Sequence, residues 1–234
     1  MRPPATISAG LASRSRRFSG FFVAGTDTGV GKTHIAVALL RGLVRDGMRV
    51  AAMKPVAAGA DHTPAGLRND DALRLAAAAN VTVPYSAVNP YCLAPAVSPH
   101  IAAKEAGIVI DPAKIRAEFD ILAQAADYVI VEGAGGWLAP ISATQTMEDV
   151  AIALDLPVIL VVGLRLGCLN HAQLTARAVQ ASGLQLAHWL ANEIDPGFER
   201  RAENLATLSA SLGPALAVVP HSATPPAMTI PLSL

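Results

Sequence analysis

Residues 25–33, with the sequence GTDTGVGKT, carry the clearest chemical signal in the chain. They follow an apolar run at residues 21–24 and lead into a helical apolar pattern at residues 35–40. A strand, a glycine-rich loop and a helix N-terminus form a cradle whose backbone N–H groups point at phosphate oxygens. In such a cradle Lys32 adds a positive charge, and the Thr33 hydroxyl can hold Mg²⁺. The stretch therefore predicts a site for a nucleoside triphosphate.

This loop departs at two positions from better-known loops of its type. The strict pattern is G-x-x-x-x-G-K-[ST]; here Gly25 stands one residue too early, whereas Gly31, Lys32 and Thr33 are in place. ParA-like and MinD-like ATPases often carry a signature lysine five residues before the loop lysine, where this chain has Asp27. The aspartate disfavours a switch ATPase of that kind.

Short apolar runs alternate with helical patterns along the chain, which predicts an α/β fold of the P-loop NTPase type. We expect three layers, with a parallel sheet and helices on both of its faces. The predicted strands are residues 21–24, 50–53, 128–131, 158–162, 186–191 and 216–219. The predicted helices are residues 33–45, 71–79, 112–124, 147–154, 172–182 and 198–212. Residues 57–99 are predicted to hold functional loops, and residues 221–234 show little pattern.

The composition excludes several functional classes. The chain has 234 residues, 52% of them hydrophobic and 15% charged, which is typical of one globular domain. A formal net charge of zero gives no electrostatic reason to expect a nucleic-acid or membrane partner. Cys92 and Cys168 form no C-x-x-C pair, and no apolar run reaches the ~18 residues of a membrane span. A reduced, cytoplasmic setting is the simplest interpretation.

Residues 1–18 differ in kind from the rest of the chain. They contain Arg2, Arg14, Arg16 and Arg17, several serines and no acid. Disordered arms and organelle transit peptides share this composition. The simpler interpretation is a disordered basic arm at residues 1–18, followed by a single P-loop α/β domain at residues 19–234.

Polar residues and glycines stand where the predicted strands end. Lys54 follows the second strand, Glu132 the third, residues 166–170 the fourth, Asn192 the fifth and Pro220 the sixth. In open parallel sheets, ligands bind beyond the carboxyl ends of the strands. These residues are therefore predicted to meet at one edge of the sheet and to form the active site there.

Several of these residues have both a functional and a structural interpretation. Glu132 stands where P-loop proteins place an acid near Mg²⁺, and the glycines after it favour close approach of the backbone to a ligand. Asp71, at a predicted helix start, fits a helix cap and a metal ligand equally well. Lys54, held out of any helix by Pro55, favours catalysis over a solvated surface charge. Asn192 could bind the edge of adenine or form an Asx-turn, and the sequence leaves both open.

Eight short motifs stand in a fixed order along the chain. They are GTDTGVGKT at 25–33, KPVAAG at 54–59, GLRNDDAL at 66–73, VNPY at 88–91, SPHIAA at 98–103, VEGAGGW at 131–137, LPVILVVGLRLGCLNHA at 156–172 and AN at 191–192. In this order and spacing they resemble the dethiobiotin synthetase family of biotin biosynthesis. The resemblance covers residues 21–220.

The resemblance implies an ATP-dependent ring closure in which 7,8-diaminopelargonate, CO₂ and ATP give dethiobiotin, ADP and phosphate. It also implies Mg²⁺ as cofactor and a homodimer with its sites near the subunit interface. The implied metal ligands are Thr33, Asp71 and Glu132, and the catalytic residues are Lys54 and Lys32. The implied ATP-binding residues are Gly29, Val30, Gly31, Lys32, Thr33, Asp71, Glu132, Gly133, Ala134, Gly135, Asn192, Pro220, His221 and Ser222. The expected substrate-binding residues are Thr28, Lys54, Ala58, Gly135 and Asn170.

Asn170 enters this set through its place near a predicted helix start, at residues 167–170. The free N–H groups and the positive dipole end of a helix N-terminus suit an anion. The substrate carries a carboxylate, and the matching motifs contain no conspicuous arginine for it. We therefore expect this helix start, from the neighbouring subunit, to hold the carboxylate.

The chain departs from the family pattern at three places. Ala58 stands where many members have a hydroxyl residue, and Asn204 stands where relatives often carry a tyrosine. The tail after Pro220 is short, which leaves base contacts from His221 and Ser222 open.

Two other classes of protein are alternatives. A nucleotide-switch ATPase would act through a protein partner, and Asp27 argues against it. An amide ligase of the cobyrinate or CTP synthetase type usually carries a glutaminase domain, for which this chain is too short.

Overall fold

A computed structural model describes residues 20–222 and 224–231, so the predicted arm at residues 1–18 lies outside the described part. The strands are β1 (Gly20–Gly25), β2 (Val50–Met53), β3 (Val56–Ala58), β4 (Asp61–Thr63), β5 (Gly66–Arg68), β6 (Tyr91–Leu93), β7 (Tyr128–Glu132), β8 (Val158–Leu164), β9 (Leu186–Glu193) and β10 (Ala217–Val219). The helices are α1 (Lys32–Arg45), α2 (Asp70–Ala78), α3 (Tyr85–Val88), α4 (Pro99–Glu105), α5 (Pro112–Ala125), α6 (Met147–Leu154), α7 (Cys168–Ala181) and α8 (Arg201–Leu212). Within the described residues, none of the helices has the length and apolar character that crossing a membrane requires.

The main sheet of the described residues has six strands in the order β10-β9-β8-β1-β7-β2, and every neighbouring pair is parallel. Strand β1 lies in the interior of the sheet, where Phe22 pairs with Val131 of β7 and with Val158 of β8. All residues of β1, β2 and β8 are buried, as expected for parallel strands that are covered on both faces. The predicted parallel α/β fold is confirmed.

Two apolar clusters cover the two faces of this sheet and make the fold three-layered. Because side chains alternate along a strand, Phe21 of β1 packs in one cluster with Leu39 of α1, whereas Phe22 packs in the other with Phe119 of α5. Helices α6, α7 and α8 add residues to the second cluster. Burial of each large apolar side chain contributes roughly 1.5–3 kcal/mol. This packing fixes the strand ends from which the functional residues project.

The structure contains all six predicted strands and all six predicted helices, with shifts at their ends. Strand β8 runs on to Leu164, and α7 begins at Cys168 instead of residue 172. Residues 57–99, predicted as loops, also contain short elements: β3 pairs with β6 in parallel, and β4 pairs with β5 antiparallel. The sequence did not predict these four strands, which have only three residues each and lie outside the main sheet.

The segment at residues 224–231 has no helix or strand, but it packs against α1. The Met228 N–H donates to the Ala38 carbonyl at 3.0 Å, and Arg41 donates to the Pro225 carbonyl at 3.0 Å. Ile230 is buried in the same apolar cluster as Phe21. The chain therefore returns to the helix that follows the phosphate loop.

Candidate active site

Residues 25–33, the phosphate loop, join β1 to α1 as a cradle for phosphates. Gly31 precedes α1 in a left-handed conformation, with a φ of 88°. A Cβ at Gly31 would lie 2.1 Å from Nδ2 of Asn192, so a larger residue does not fit there. The Lys32 ammonium donates to the Asp27 carbonyl at 2.8 Å and is thereby held over the loop.

Lys54 is a buried cation between two carboxylates. Its Nζ lies 2.5 Å from Oε1 of Glu132 and 3.0 Å from Oδ2 of Asp71, and its side chain is only 5% exposed. Strand β2 ends at Met53 beside β7, which ends at Glu132, so the parallel register brings the lysine and the glutamate together. The Thr33 hydroxyl donates to the same Oε1 of Glu132 at 2.8 Å.

The electrostatics keep these groups charged. Burial acts to lower the pKa of Lys54, but the charges of Glu132 and Asp71 outweigh it and raise that pKa above its ordinary value. Burial acts to raise the pKa of Asp71, but the neighbouring Lys54 outweighs it and holds that pKa below its usual value. The pKa of Lys32 is lowered to about 8; burial is the larger cause, and the positive charge of Lys54 is the next largest. A bound polyphosphate would favour the charged form of Lys32.

The oxygen atoms around Lys54 fit a small hard cation such as Mg²⁺. Thr33 and Glu132 are in hydrogen-bond contact, and Lys54 connects Glu132 to Asp71. The second oxygen of Glu132, Oε2, is buried and has no hydrogen-bond partner. Within the described residues no three His, Cys, Asp or Glu side chains form a closed metal cage. Two carboxylates and a hydroxyl match the usual Mg²⁺ site, which phosphate oxygens and water complete.

A cavity of about 840 Å³ opens in front of these groups. The predicted site residues that line it are Thr28, Gly29, Gly31, Lys32, Thr33, Lys54, Ala58, Asp71, Glu132, Ala134 and Gly135. Predicted phosphate-binding, metal-binding and catalytic residues thus face one space. The predicted residues that do not line it are Val30, Gly133, Asn170, Asn192, Pro220, His221 and Ser222.

The residues predicted to bind the base lie beside the cavity. Asn192 is buried, and its Nδ2 donates to the Val30 carbonyl in the phosphate loop at 2.9 Å. His221 is exposed, and its Nδ1 lies 3.2 Å from the Glu193 carbonyl. Ser222 donates to the Thr224 carbonyl at 3.0 Å. The amide of Asn192 therefore supports the loop, and adenine contacts by these residues stay a prediction.

Asn170 lies in the first turn of α7, on the surface of the molecule. The helix begins at Cys168, so the predicted helix start is present, but within one chain it lies outside the cavity wall. A substrate contact by Asn170 from a neighbouring subunit stays a prediction.

Asn69 lines the cavity and caps α2, and the sequence reasoning did not assign it to the site. Its side chain caps α2 by accepting from the Ala72 N–H at 3.3 Å, and it donates to the Gly59 carbonyl at 3.1 Å. Since Asn69 takes the capping role, Asp71 is left to face Lys54. The signal was present in the sequence, because asparagine is among the preferred caps and acids favour the first helical turn.

The loop aspartate is also explained by the structure. Asp27 Oδ2 accepts from the Arg165 guanidinium at 2.5 Å, and Arg165 follows β8. The Thr28 N–H, and then Arg165, hold the pKa of Asp27 below its usual value. The position that often holds a lysine in switch ATPases is here an acid paired within its own chain.

Comparisons with known proteins show the family of this chain. A family model described as an AAA domain matches residues 19–225. The ATP-dependent dethiobiotin synthetase BioD of Pseudomonas aeruginosa (strain UCBPP-PA14) is 49% identical over 218 residues, which cover 92% of this chain and 96% of that protein. The protein of the same name from Aromatoleum aromaticum is 52% identical over 204 residues, covering 87% and 91%.

The chain belongs to the ATP-dependent dethiobiotin synthetase family. This confirms the resemblance, and with it the prediction that the chain is an enzyme, an ATP-dependent ligase.

Solved structures agree with the family fold. A ParA family ATPase from Chlorobium tepidum superposes with a TM-score of 0.54 at 16% identity, covering 88% of this chain and 85% of that one. The MinC:MinD complex from Aquifex aeolicus gives 0.55 at 14% identity, covering 88% and 82%. At such low identity these likenesses confirm the P-loop NTPase fold and carry no information about activity.

Proposed function

We propose that this chain makes dethiobiotin from 7,8-diaminopelargonate, CO₂ and ATP, with release of ADP and phosphate. The observation that carries the proposal is the buried Lys54, which faces the same cavity as the phosphate loop while two carboxylates hold it. A fixed cation beside a phosphate site suits a reaction in which negative charge builds up during phosphoryl transfer. Family membership supports the choice of substrate.

The proposed reaction has three steps. One amine of the substrate loses a proton and bonds to the carbon of CO₂, which gives a carbamate. A carbamate oxygen then attacks the γ-phosphorus of ATP, ADP leaves, and a carbamic–phosphoric anhydride remains. The second amine attacks the carbonyl carbon, loses a proton and expels phosphate, which closes the ureido ring. No covalent bond to the enzyme forms.

The side chains of the site would act by position and charge. Lys32, held by the Asp27 carbonyl, would bind the β- and γ-phosphates, and Lys54 would stabilise charge on the transferred group. Thr33, Asp71 and Glu132 are the residues that would hold Mg²⁺, with the unpaired Oε2 of Glu132 as an open ligand position. When bound, Mg²⁺ neutralises charge on the phosphate oxygens.

The wall of the cavity beside Lys54 suits an alkyl chain. Val56, Ala57 and Ala58 line it from one side, and Ala96 and Val97 line it as well. We propose that the carbon chain of the substrate lies against these residues. Because Ala58 has no hydroxyl, this chain would lack one hydrogen bond to the substrate that other members can make.

The remaining assignments complete the proposal. Asn192, Pro220, His221 and Ser222 would bind the adenine end of ATP, beyond the loop that Asn192 supports. The enzyme would act in the cytoplasm and as a homodimer, with neither nucleic acid nor membrane as a partner.

Measurement of phosphate release tests this proposal. We expect release only when ATP, Mg²⁺, 7,8-diaminopelargonate and bicarbonate are all present, and we expect mass spectrometry to detect dethiobiotin. Phosphate release that is equally fast without the diamine would contradict the proposal and would favour a nucleotide-switch ATPase.

A further inference from the structure

A partly buried hydrogen-bond network joins the backbone of Lys54 to the N-terminus of α2, and the Tyr85 hydroxyl is its centre. That hydroxyl accepts the Asn69 N–H at 2.9 Å and donates to Oδ1 of Asn89 at 3.2 Å. Burial raises the pKa of Tyr85 to about 12, so the hydroxyl keeps the proton that it donates. One hydroxyl thus connects the start of α2 with the end of α3.

Asn89 links the Tyr85 hydroxyl to the backbone of Lys54. Asn89 is 3% exposed, and its Nδ2 donates to the Lys54 carbonyl at 2.6 Å and to the Tyr91 carbonyl at 3.3 Å. The Lys54 N–H in turn donates to the Val88 carbonyl, at the end of α3, at 2.7 Å. Both backbone polar groups of Lys54 are therefore bound to the end of α3, the helix that Tyr85 begins: the N–H to Val88, its last residue, and the carbonyl to Asn89, the next one.

On the aspartate side, the same hydroxyl holds the residue that caps α2. Asn69 accepts from the Ala72 N–H and donates to the Gly59 carbonyl, while its own N–H is bound to Tyr85. Asp71 lies two residues after this cap. The start of α2, and with it the carboxylate that faces Lys54, is fixed by these contacts.

We propose that Tyr85 is a positioning residue, whose hydroxyl sets the placement of the Lys54 ammonium relative to the Asp71 carboxylate. Tyr85 and Asn89 are not among the residues that line the cavity, so their effect passes through Lys54 and Asp71. The kinetic part of this inference rests on the proposed function, since it concerns the phosphoryl transfer that Lys54 would assist.

The variant Tyr85→Phe removes the hydroxyl and keeps the ring. The ring contact with Arg68, whose guanidinium carbon lies 4.2 Å from the ring centroid, is therefore retained. A matched control exists in Tyr91→Phe. The Tyr91 hydroxyl accepts the N–H of Asp111, the residue that caps α5, at 2.9 Å, so this variant loses the same type of bond at a helix start elsewhere.

The kinetic test is a double-mutant cycle with Lys54→Gln. We expect Tyr85→Phe to lower kcat at saturating ATP by about 10-fold, while the KM for ATP changes less than about 2-fold. In the Lys54→Gln background the same change should lower kcat less than about 2-fold, because its effect passes through the lysine. Tyr91→Phe should leave kcat within about 2-fold of the wild type.

A loss of kcat of equal size in both backgrounds would overturn the proposal, because Tyr85 would then act independently of Lys54. Near-normal kcat in a folded Tyr85→Phe protein would overturn it as well. If the wild type fails to use the diamine, the proposed function fails separately.

Amide hydrogen exchange in the nucleotide-free protein gives a readout that does not depend on activity. In Tyr85→Phe, the amides of Asn69 and Lys54 should both exchange faster than in the wild type, whereas Tyr91→Phe should affect the start of α5 instead. If the amide hydrogens of Asn69 and Lys54 exchange at unchanged rates in Tyr85→Phe, the Tyr85 hydroxyl does not position Lys54 and Asp71.

Discussion

At the scale of single residues, we propose that the reaction depends on Lys54, whose positive charge lies between two carboxylates. Lys54 and Glu132 are buried, Asp71 is partly exposed, and the two carboxylates raise the pKa of Lys54 above its ordinary value. A positive charge that is already in place can stabilise negative charge that develops on a phosphate. Lys32 differs, because it lies on the phosphate loop and burial lowers its pKa to about 8. We therefore propose that Lys32 both binds the phosphates and assists their transfer, whereas Lys54 acts mainly in the transition state.

The variant Lys54→Gln tests this division of tasks. Because Lys54 is expected to act mainly in the transition state, kcat should fall on the order of 10²–10³-fold while the ATP affinity measured by calorimetry changes little. Removal of one partner of a buried ion pair costs roughly 3–5 kcal/mol, so the melting temperature is measured alongside. Lys104→Gln, an exposed lysine on α4, serves as control. Lost ATP affinity with kcat retained at saturation would make Lys54 a binding residue only.

The sequence predicted the site residues that lie at the carboxyl ends of strands. Lys54 and Glu132 come directly after, or at the end of, buried strands, and parallel pairing of β2 with β7 brings them together. The sequence left the role of Asp71 open, because a cap and a ligand look alike until the cap is identified as Asn69. Tyr85 and Asn89 could not be predicted, since their contacts depend on how residues 57–99 fold back on β2.

At the scale of elements, the strands of the main sheet were predictable from their apolar runs, and even the three-residue β10 was predicted. The strands β3 to β6, which have three residues each and lie outside the main sheet, were not predicted. The packing of residues 224–231 on α1 was also missed, because that segment has no periodic pattern. The segment approaches α1 closely at Gly42, and this contact is visible only in the structure.

The variant Gly42→Ala tests the packing of that segment. Alanine for glycine inside a helix is normally worth roughly 1 kcal/mol of stability. Here a Cβ at Gly42 would lie 1.7 Å from the Met228 carbonyl oxygen, so residues 225–231 must move. We expect a lower melting temperature and faster proteolysis within residues 225–231.

The control is Gly47→Ala, just beyond α1, where φ is 82° and a Cβ meets no atom within 4 Å. It should lower stability through backbone strain and leave proteolysis of residues 225–231 unchanged. A raised melting temperature in Gly42→Ala would show that residues 225–231 do not pack closely against α1.

At the scale of the whole molecule, we propose that a second copy of the chain holds the substrate carboxylate. Asn170 is exposed and outside the cavity, and nearby Leu166 is 91% exposed. We predict a homodimer in light scattering, in which the start of α7 reaches the cavity of the partner. The methyl ester of the diamine should then bind more weakly than the acid, and Asn170→Ala should reduce that difference.

Gln180→Ala, at the exposed far end of α7, is the control and should keep the difference between acid and ester. An ester that binds as well as the acid would rule out the carboxylate site. A stable monomer with full activity would rule out the contribution of the partner.

In the mechanism that we propose, a carbamate oxygen, and not water, attacks the γ-phosphate. The most direct measurement is mass spectrometry of the phosphate released with ¹⁸O-labelled bicarbonate, under conditions faster than exchange of the label with water. We predict that each phosphate carries one ¹⁸O atom, because the attacking oxygen leaves with the phosphorus when the ring closes. Unlabelled phosphate from labelled bicarbonate, together with labelled phosphate from ¹⁸O-water, would show simple hydrolysis and contradict the account.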